Sequence, residues 1–262
     1  MKLLLLHDKK IIYDFLKQSP ALQLFCIGDL DDFFWPKTTW YALQDQEGIK
    51  SIALFYVGME TPTLLLFEEH TSPFSIQLLQ KIKHLLPQKF NAHFSTGLLD
   101  VYGRQNIVIY YGLSYKMTLK KAVAAPDYNT AIRRLNTEDI PSIVTLLSLA
   151  YPQSWFDSRM IQTDQYWGYF QDGQLVGVAG IHVYSEEYKV AALGNVATHP
   201  EYRGQKIAHK LVSTLCADLQ KRIEIIGLNV RAENKIAIRC YENIGFEISG
   251  TYDECYYKNE TA

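Results

Sequence analysis

The sequence predicts an α/β (α+β) chain of two similarly built halves, each a mixed, mostly antiparallel sheet flanked by helices. Three observations carry this. Short apolar runs punctuated by Gly, Asp and Asn recur through both halves and read as strands and hairpins, with fewer 3.6-period stripes that read as helices. From Val190 to Leu219 a strand runs through a basic, Gly-containing turn into a helix, and from Ile225 to Ile244 a second strand turns into an Asn-capped helix. Between the halves, Lys120-Lys121-Ala122-Val123-Ala124-Ala125-Pro126-Asp127 is rich in small residues and broken by Pro, which places domains at 1–124 and 127–262. With 262 residues and 48% apolar content, the chain can support two cores.

In the first half, Ile11–Leu16 has a helical pattern. Trp40–Gln44 and Ile49–Val57 form a hairpin around Gln46-Glu47-Gly48, and Thr63–Phe67 adds a third strand. A helix follows over Phe74–Leu86, then strands at Phe90–Phe94, Ile107–Tyr111 and Tyr115–Leu119. In the second half, Ile132–Leu135 is a short strand. Thr137 caps a helix reaching Ala150, with Ile140, Ile143, Val144, Leu147 and Ala150 as its inward stripe. A second helix is expected around Phe156–Gln162, then a hairpin of Trp167–Phe170 and Leu175–Tyr184 turned by Asp172-Gly173, then a strand over Val190–Thr198. Ala208, Leu211, Val212, Leu215, Cys216 and Leu219 form one helical stripe. Ala237, Cys240, Tyr241 and Ile244 form another, closed by Gly245 where a positive φ is wanted.

Composition narrows the function. A net charge of −2 with both signs mixed argues against a nucleic-acid binder. Apolar runs are too short for a membrane span, and the Met1–Asp8 start is too short for a signal peptide, so a cytoplasmic protein that does not engage membranes is expected. Cys26, Cys216, Cys240 and Cys255 form no C-x-x-C pair, which favours reduced core thiols over disulfides or a metal site.

The turn His199-Pro200-Glu201-Tyr202-Arg203-Gly204-Gln205-Lys206 opens a helix whose N-terminal N–H groups suit a phosphate, with Arg203 and Lys206 placed to add charge. An ordinary solvated turn is the competing reading. The two strand–helix units together resemble the GCN5-related N-acetyltransferases (GNAT). Their cofactor loop reads R/Q-x-x-G-x-G/A and a later helix reads N-x-x-A-x-x-x-Y-x-x-x-G-F. Asn234, Ala237, Tyr241, Gly245 and Phe246 match the second pattern in full. Arg203 and Ala208 match the first, with Lys206 where Gly is usual. The resemblance covers roughly Asn129–Lys258. Lys206 is expected to serve there only with helical φ/ψ.

The resemblance implies an acyl-CoA-dependent N-acyltransferase, most readily with acetyl-CoA (coenzyme A) as donor and a small-molecule primary amine as acceptor, in a monomer or homodimer. A catalytically silent acyl-CoA-binding or regulatory module is the alternative. It places Val196, Ala197 and Thr198 beside the pantetheine arm, Arg203, Gly204, Gln205, Lys206, Ile207 and Ala208 around the pyrophosphate, and Asn234 and Tyr241 at the pantetheine end. A bulge at Gly194-Asn195 makes the backbone of Asn195 or Val196 the oxyanion donor, and Tyr241 the acid for the departing sulfur. The base stays open among His182, Glu186, Glu187 and a water relay. Tyr151, Trp155, Phe156 and Trp167 are candidates for one acceptor wall, and Tyr252, Tyr256 and Tyr257 on the last strand for the other. Asp29–Pro36 reads equally as a wall, an interface or a solvated loop.

The first half reads as a degenerate copy of the same fold. Glu68-Glu69-His70-Thr71-Ser72-Pro73 replaces the basic turn, and its carboxylates would repel a pyrophosphate, so no cofactor is expected there. This layout resembles acetyltransferases with a cofactor-free first half, including the glycine N-acyltransferase-like group.

Overall fold

The computed structural model describes residues 1–124, 131–152 and 154–258. The chain divides into two compact units. The first takes residues 1–116, 230–233 and 248 onward; the second takes 117–229 and 234–247. The linker expected over 122–129 lies, from residue 125 on, outside the described residues.

In the first unit, β1 (Lys2–Leu6), α1 (Lys9–Leu16), α2 (Leu24–Gly28), β2 (Thr38–Asp45), β3 (Gly48–Tyr56), β4 (Thr63–Leu66), α3 (Pro73–Ile82), β5 (Lys89–Ser95) and β6 (Ile107–Leu119) follow in order. Asp8 caps α1 by accepting from the N–H groups of Lys10 and Ile11, and Ser72 caps α3 by accepting from Ser75 N–H. The helix expected to reach Leu86 closes as a 3₁₀ turn over Lys83–Leu85. β6 is one strand rather than two: Gly112, at φ +112°, bends it without ending it.

The second unit holds β7 (Ile132–Arg134), α4 (Ile140–Ala150), β8 (Trp167–Gln171), β9 (Gln174–Ser185), β10 (Val190–Thr198), α5 (Ile207–Leu219), β11 (Ile225–Arg231), α6 (Lys235–Ile244) and the start of β12 (Phe246–Lys258). Its strands lie in the order β11-β10-β9-β8-β7. The capping residue is Asn136, not Thr137, and it caps a 3₁₀ turn over Thr137–Asp139 that leads into α4. Asn136 accepts from Glu138 N–H and Asp139 accepts from Asn136 N–H, a reciprocal capping box. On α4 Val144 is exposed and Leu146 is buried, so the inward stripe is Ile143, Leu146 and Leu147. The expected Phe156–Gln162 helix is a 3₁₀ segment over Ser158–Thr163.

The largest departure from expectation concerns the last strand. Tyr252 to Lys258 pair antiparallel with Ser95 to Lys89, so most of β12 completes the first unit's sheet, in the order β1-β2-β3-β4-β5-β12-β6. Tyr257 stacks on Phe90 at 5.5 Å and donates its hydroxyl to the Leu99 carbonyl, and Tyr252 packs edge-on against Phe67. Tyr252 and Tyr257 are thus core residues of the first unit and not an acceptor wall of the second. Asp29–Pro36 also packs into the first unit, where Leu30 and Phe34 are buried and Trp35 stacks on Trp40.

On β6 the ammonium-bearing side chain of Lys116 is buried, with Nζ 3.5 Å from the Phe67 ring centroid, 5.1 Å from Phe25 and 5.3 Å from Tyr252. Burial pulls its pKa down to about 7, against a smaller opposing effect of the Cys26 thiol, which burial itself pushes up to about 12. An amine whose pKa is lowered on folding costs stability wherever the unfolded chain holds a proton that the folded chain resists. The cost is full below pH 7 and disappears as pH rises toward 10. Lys116→Met is therefore expected to raise Tm by several degrees at pH 6 and by progressively less at pH 8 and 9, read by thermal scans across that range.

Candidate active site

The second unit carries a break in its sheet. β10 pairs parallel with β11 from Val190↔Ile225 to Leu193↔Leu228, and the pairing stops there. On the other side, β10 pairs with β9 at Gly194↔Gly180 and resumes at Ala197↔Val178, so Asn195 and Val196 stand opposite Ala179 alone. That is a β-bulge, and Asn195 sits in it at φ +52°. Beyond the last paired residues, Thr198 Oγ1 on β10 and Asn229 Oδ1 on β11 are sealed from solvent without a hydrogen-bond partner. Asn229 was not singled out from the sequence.

The bulge is held from below by side chains. Asn195 is 1% exposed, and its Nδ2 donates to the Tyr166 hydroxyl at 2.9 Å, which donates to the Ile181 carbonyl at 2.8 Å. Its side chain thus faces the core, leaving only its backbone for the oxyanion role expected of it. His182 lies against Asn195, and burial pulls its pKa down to about 4, opposed by the Asn195 side chain and the Trp155 main chain. Trp155 packs on the His182 ring at 5.7 Å and Phe156 on the Tyr166 ring at 5.7 Å. Trp167 instead packs under Arg134, with its Nε1 buried and unpartnered.

After Thr198 the loop tightens. His199 Nδ1 accepts from Glu201 N–H, and Pro200–Tyr202 form a 3₁₀ turn. Arg203 reaches back, donating to the Thr198 carbonyl at 3.4 Å and to the carbonyl of Ala150, the last residue of α4, at 3.2 Å. Gly204 adopts φ +81° and Lys206 φ +60°. Lys206 is therefore left-handed, so the condition of helical φ/ψ set for it is not met; instead it adopts the positive φ that the usual Gly would supply, and the loop takes two positive-φ residues without a second Gly. Lys206 stands at the N-cap of α5 with no side-chain cap, and the first turn has no acidic residue. Arg203, Gly204, Gln205 and Lys206 are exposed, whereas Ile207 is buried and Ala208 half-buried. The open end of α5 is an uncapped set of donors with positive dipole.

Tyr241 is buried on α6, edge-on to Phe246 at 5.9 Å, and burial pushes its hydroxyl well above the usual phenol range. It stays protonated at any physiological pH and can donate. Asn234 spends its Oδ1 on capping α6, accepting from Ala237 N–H at 3.1 Å. Glu186 pairs with the Tyr184 hydroxyl and with Arg222 at 3.3 Å in a solvated turn, and Glu187 is exposed beside it. Among the described residues, no cluster of His, Cys, Asp and Glu could hold a metal, and the four cysteines are free thiols. Among the described residues, no helix is long and apolar enough to cross a membrane.

The second unit thus has a strand pair that parts beside a bulge and a basic helix N-terminus without a side-chain cap, and comparison with known proteins supplies the class. The acetyltransferase (GNAT) family pattern matches residues 130–246. The [ribosomal protein bS18]-alanine N-acetyltransferase of Escherichia coli K12 is 30% identical over 131 residues, spanning 48% of this chain and 86% of that protein. A GNAT-family acetyltransferase from Colwellia psychrerythraea superposes with TM-score 0.61 at 15% identity, covering 98% of this chain and all of its own. A tandem GNAT protein from the clavulanic acid biosynthesis pathway superposes with TM-score 0.59 at 12% identity over the full length of both chains. The chain belongs to the GNAT acetyltransferase family. Its architecture is that of a tandem GNAT protein.

The lowered His182 pKa has a stability consequence. Between about pH 6.5 and 4 the unfolded chain protonates this residue and the folded chain does not, so stability falls as pH drops through that window. The difference in unfolding free energy between the parent and His182→Gln is expected to change by roughly 3 kcal/mol from pH 7 to pH 4, in favour of the variant, measured by urea titration at each pH.

Proposed function

We propose that this chain is an acyl-CoA-dependent N-acyltransferase that moves an acetyl group from acetyl-CoA to a primary amine, with the site confined to the second unit. The observation that carries the reading is the parting of β10 and β11 past Leu193 and Leu228, directly ahead of the uncapped N-terminus of α5. The fit is chemical as well as geometric. Unpartnered polar atoms of Thr198 and Asn229 lie where the strands part, Arg203 and Lys206 bring positive charge, and no carboxylate occupies the first turn of α5.

When bound, acetyl-CoA supplies an activated acyl thioester. The residues of the loop Arg203 to Ala208 would hold its diphosphate through main-chain N–H groups, with Lys206 and Arg203 supplementing the charge. Val196, Ala197 and Thr198 offer strand backbone to the pantetheine amides, and Asn234 borders that arm. A backbone N–H of the bulge, at Asn195 or Val196, polarises the carbonyl that the amine attacks. Tyr241 would give its hydroxyl proton to the leaving sulfur and be restored by the proton that the amine loses on forming the amide. The acceptor enters beside Trp155 and Phe156. The relatives from Escherichia coli are alanine N-acetyltransferases of ribosomal protein bS18, and a mycothiol acetyltransferase of Brachybacterium faecium is 41% identical over 56 residues. A small primary amine is our reading here.

The first unit takes no cofactor in this reading. Where β4 ends, Ser95 Oγ accepts from Glu68 N–H at 2.7 Å and donates to the Glu68 carbonyl at 2.9 Å, which ties the strands' ends together. The Glu68 carboxylate then takes the place of an anion at the N-terminus of α3, accepting from Ser72 N–H at 3.2 Å and from the Ser75 and Ser51 hydroxyls.

Calorimetric titration with acetyl-CoA is expected to give one site per chain, and a saturating excess of about 100 Kd should raise Tm by several degrees. No heat and no shift would end the reading. Tyr241→Phe is expected to lower kcat about 100-fold or more with KM for acetyl-CoA little changed. A variant of full activity would remove the acid role, and a parent that binds yet turns over no amine would leave the silent binding module.

A further inference from the structure

Two glycines face each other across the β9–β10 register, and each is required by a ring. A Cβ on Gly194 would lie 2.2 Å from the His182 ring, and one on Gly180 would lie 2.1 Å from the Tyr166 ring. The rings therefore sit flat against the strand pair immediately before the bulge. Both then join the bulge chemically. The Ile181 carbonyl can only accept, so the Tyr166 hydroxyl donates to it and accepts from Asn195 Nδ2. That polarity turns Asn195 Oδ1 away from Tyr166, and it is sealed from solvent with no partner. His182 Nε2 is sealed and unpartnered as well, and the imidazole lies within hydrogen-bonding reach of both the Asn195 side chain and the Trp155 main chain. Two buried, adjacent polar atoms that lack other partners complete one another with a small ring shift once Nε2 carries hydrogen.

We propose that His182 is a positioning residue that fixes both sides of the transfer slot: its Nε2 side holds Asn195 and the left-handed turn of the bulge, and its Nδ1 side holds the main chain at Trp155 and the aromatic segment beside it. The proposal rests on the reading of the bulge as the carbonyl-polarising element. One imidazole then sets the donor's oxyanion contact and the acceptor's wall together. In this role His182 neither touches substrate nor carries its proton; it acts through Asn195 and Trp155.

The two attachments can be separated by side-chain length. Gln places its amide nitrogen near the position of Nε2, Asn places its own near Nδ1, and Leu offers neither. The full-length parent and His182→Gln, His182→Asn and His182→Leu are compared by amide hydrogen exchange without ligand and by calorimetry with acetyl-CoA and with CoA alone. His182→Gln is expected to keep slow exchange at residues 194–197 while exchange at 154–157 speeds by about tenfold or more. His182→Asn is expected to do the reverse, and His182→Leu to lose protection at both. Variants that lose the bulge are expected to lose about tenfold of any preference for acetyl-CoA over CoA, with CoA affinity itself unchanged because the diphosphate loop lies elsewhere. Equal loosening of all of β9 and β10 in every variant, with a common fall in Tm, would overturn the proposal by making His182 ordinary core. Unchanged exchange in His182→Leu would overturn it too. If the parent binds neither acetyl-CoA nor CoA, the proposed function fails, while the exchange pattern still decides the role of His182.

Discussion

The second unit depends on a single break in hydrogen bonding, the separation of β10 from β11 after Leu193 and Leu228. A sheet interior does not open freely, because buried N–H and C=O groups without partners cost about as much as lost hydrogen bonds. The chain makes the break tolerable by inserting one residue on the other side of β10. The bulge rotates Asn195 and Val196 out of the ladder, and the strand leaves its neighbour at that point. Asn at positive φ is strained by roughly 1 to 2 kcal/mol, and its buried tie to Tyr166 offsets that strain. Gly180 and Gly194 supply the room for the rings that make the tie. The slot is a consequence of side chains packed beneath the sheet rather than of loops above it.

The first unit repeats the order of elements and reverses the outcome. β4 and β5 run parallel from Thr63↔Asn91 to Leu66↔Phe94, and Ser95 and Glu68 then bridge them where the other unit opens. At the following helix, Ser72, Ser75 and Ser51 gather around the Glu68 carboxylate, whose pKa burial raises against their hydrogen bonds. A helix N-terminus attracts an anion in either unit. In one the chain provides the anion itself, and in the other the end of the helix is left bare. The two turns differ along their length: Glu68 to Ser72 ends in a capping serine, and His199 to Lys206 ends in a residue with no side-chain cap.

Local features were legible in the sequence because they depend on neighbours in the chain. Asp172-Gly173 turns the β8–β9 hairpin with both residues at positive φ, as the dipeptide prescribes, and Gly245 closes α6 at φ +117°. Features set by distant partners were not legible. The alternation in Tyr252–Tyr257 identifies a strand but does not name its neighbour, and the neighbour proved to be β5. A run of apolar residues on α4 could not rank Val144 against Leu146 without the sheet it packs on. His182 looked like a lone strand histidine, because its meaning lies in Gly194, Asn195 and Trp155, which come from two other segments. Its one local trace is Gly180, a glycine inside a strand two residues earlier.

Lys206 extends the same constraint into the loop. A left-handed Lys at an N-cap gives up both the backbone preference of an L-residue and the hydrogen bond that Ser, Asp or Asn would have made. Both losses have the same structural effect: the first N–H groups of α5 point outward with nothing of the chain upon them. Arg203 keeps the loop from relaxing, since its guanidinium spans the carbonyls of Thr198 and Ala150 and so fastens the end of β10 to the end of α4. The loop is held open by contacts behind it, as the bulge is held by rings beneath it. Strain maintained by surrounding structure collects where a ligand is bound. In this chain the two positive-φ residues that are not glycine on the path from β10 into α5, Asn195 and Lys206, stand at the two ends of the span proposed for the acyl donor.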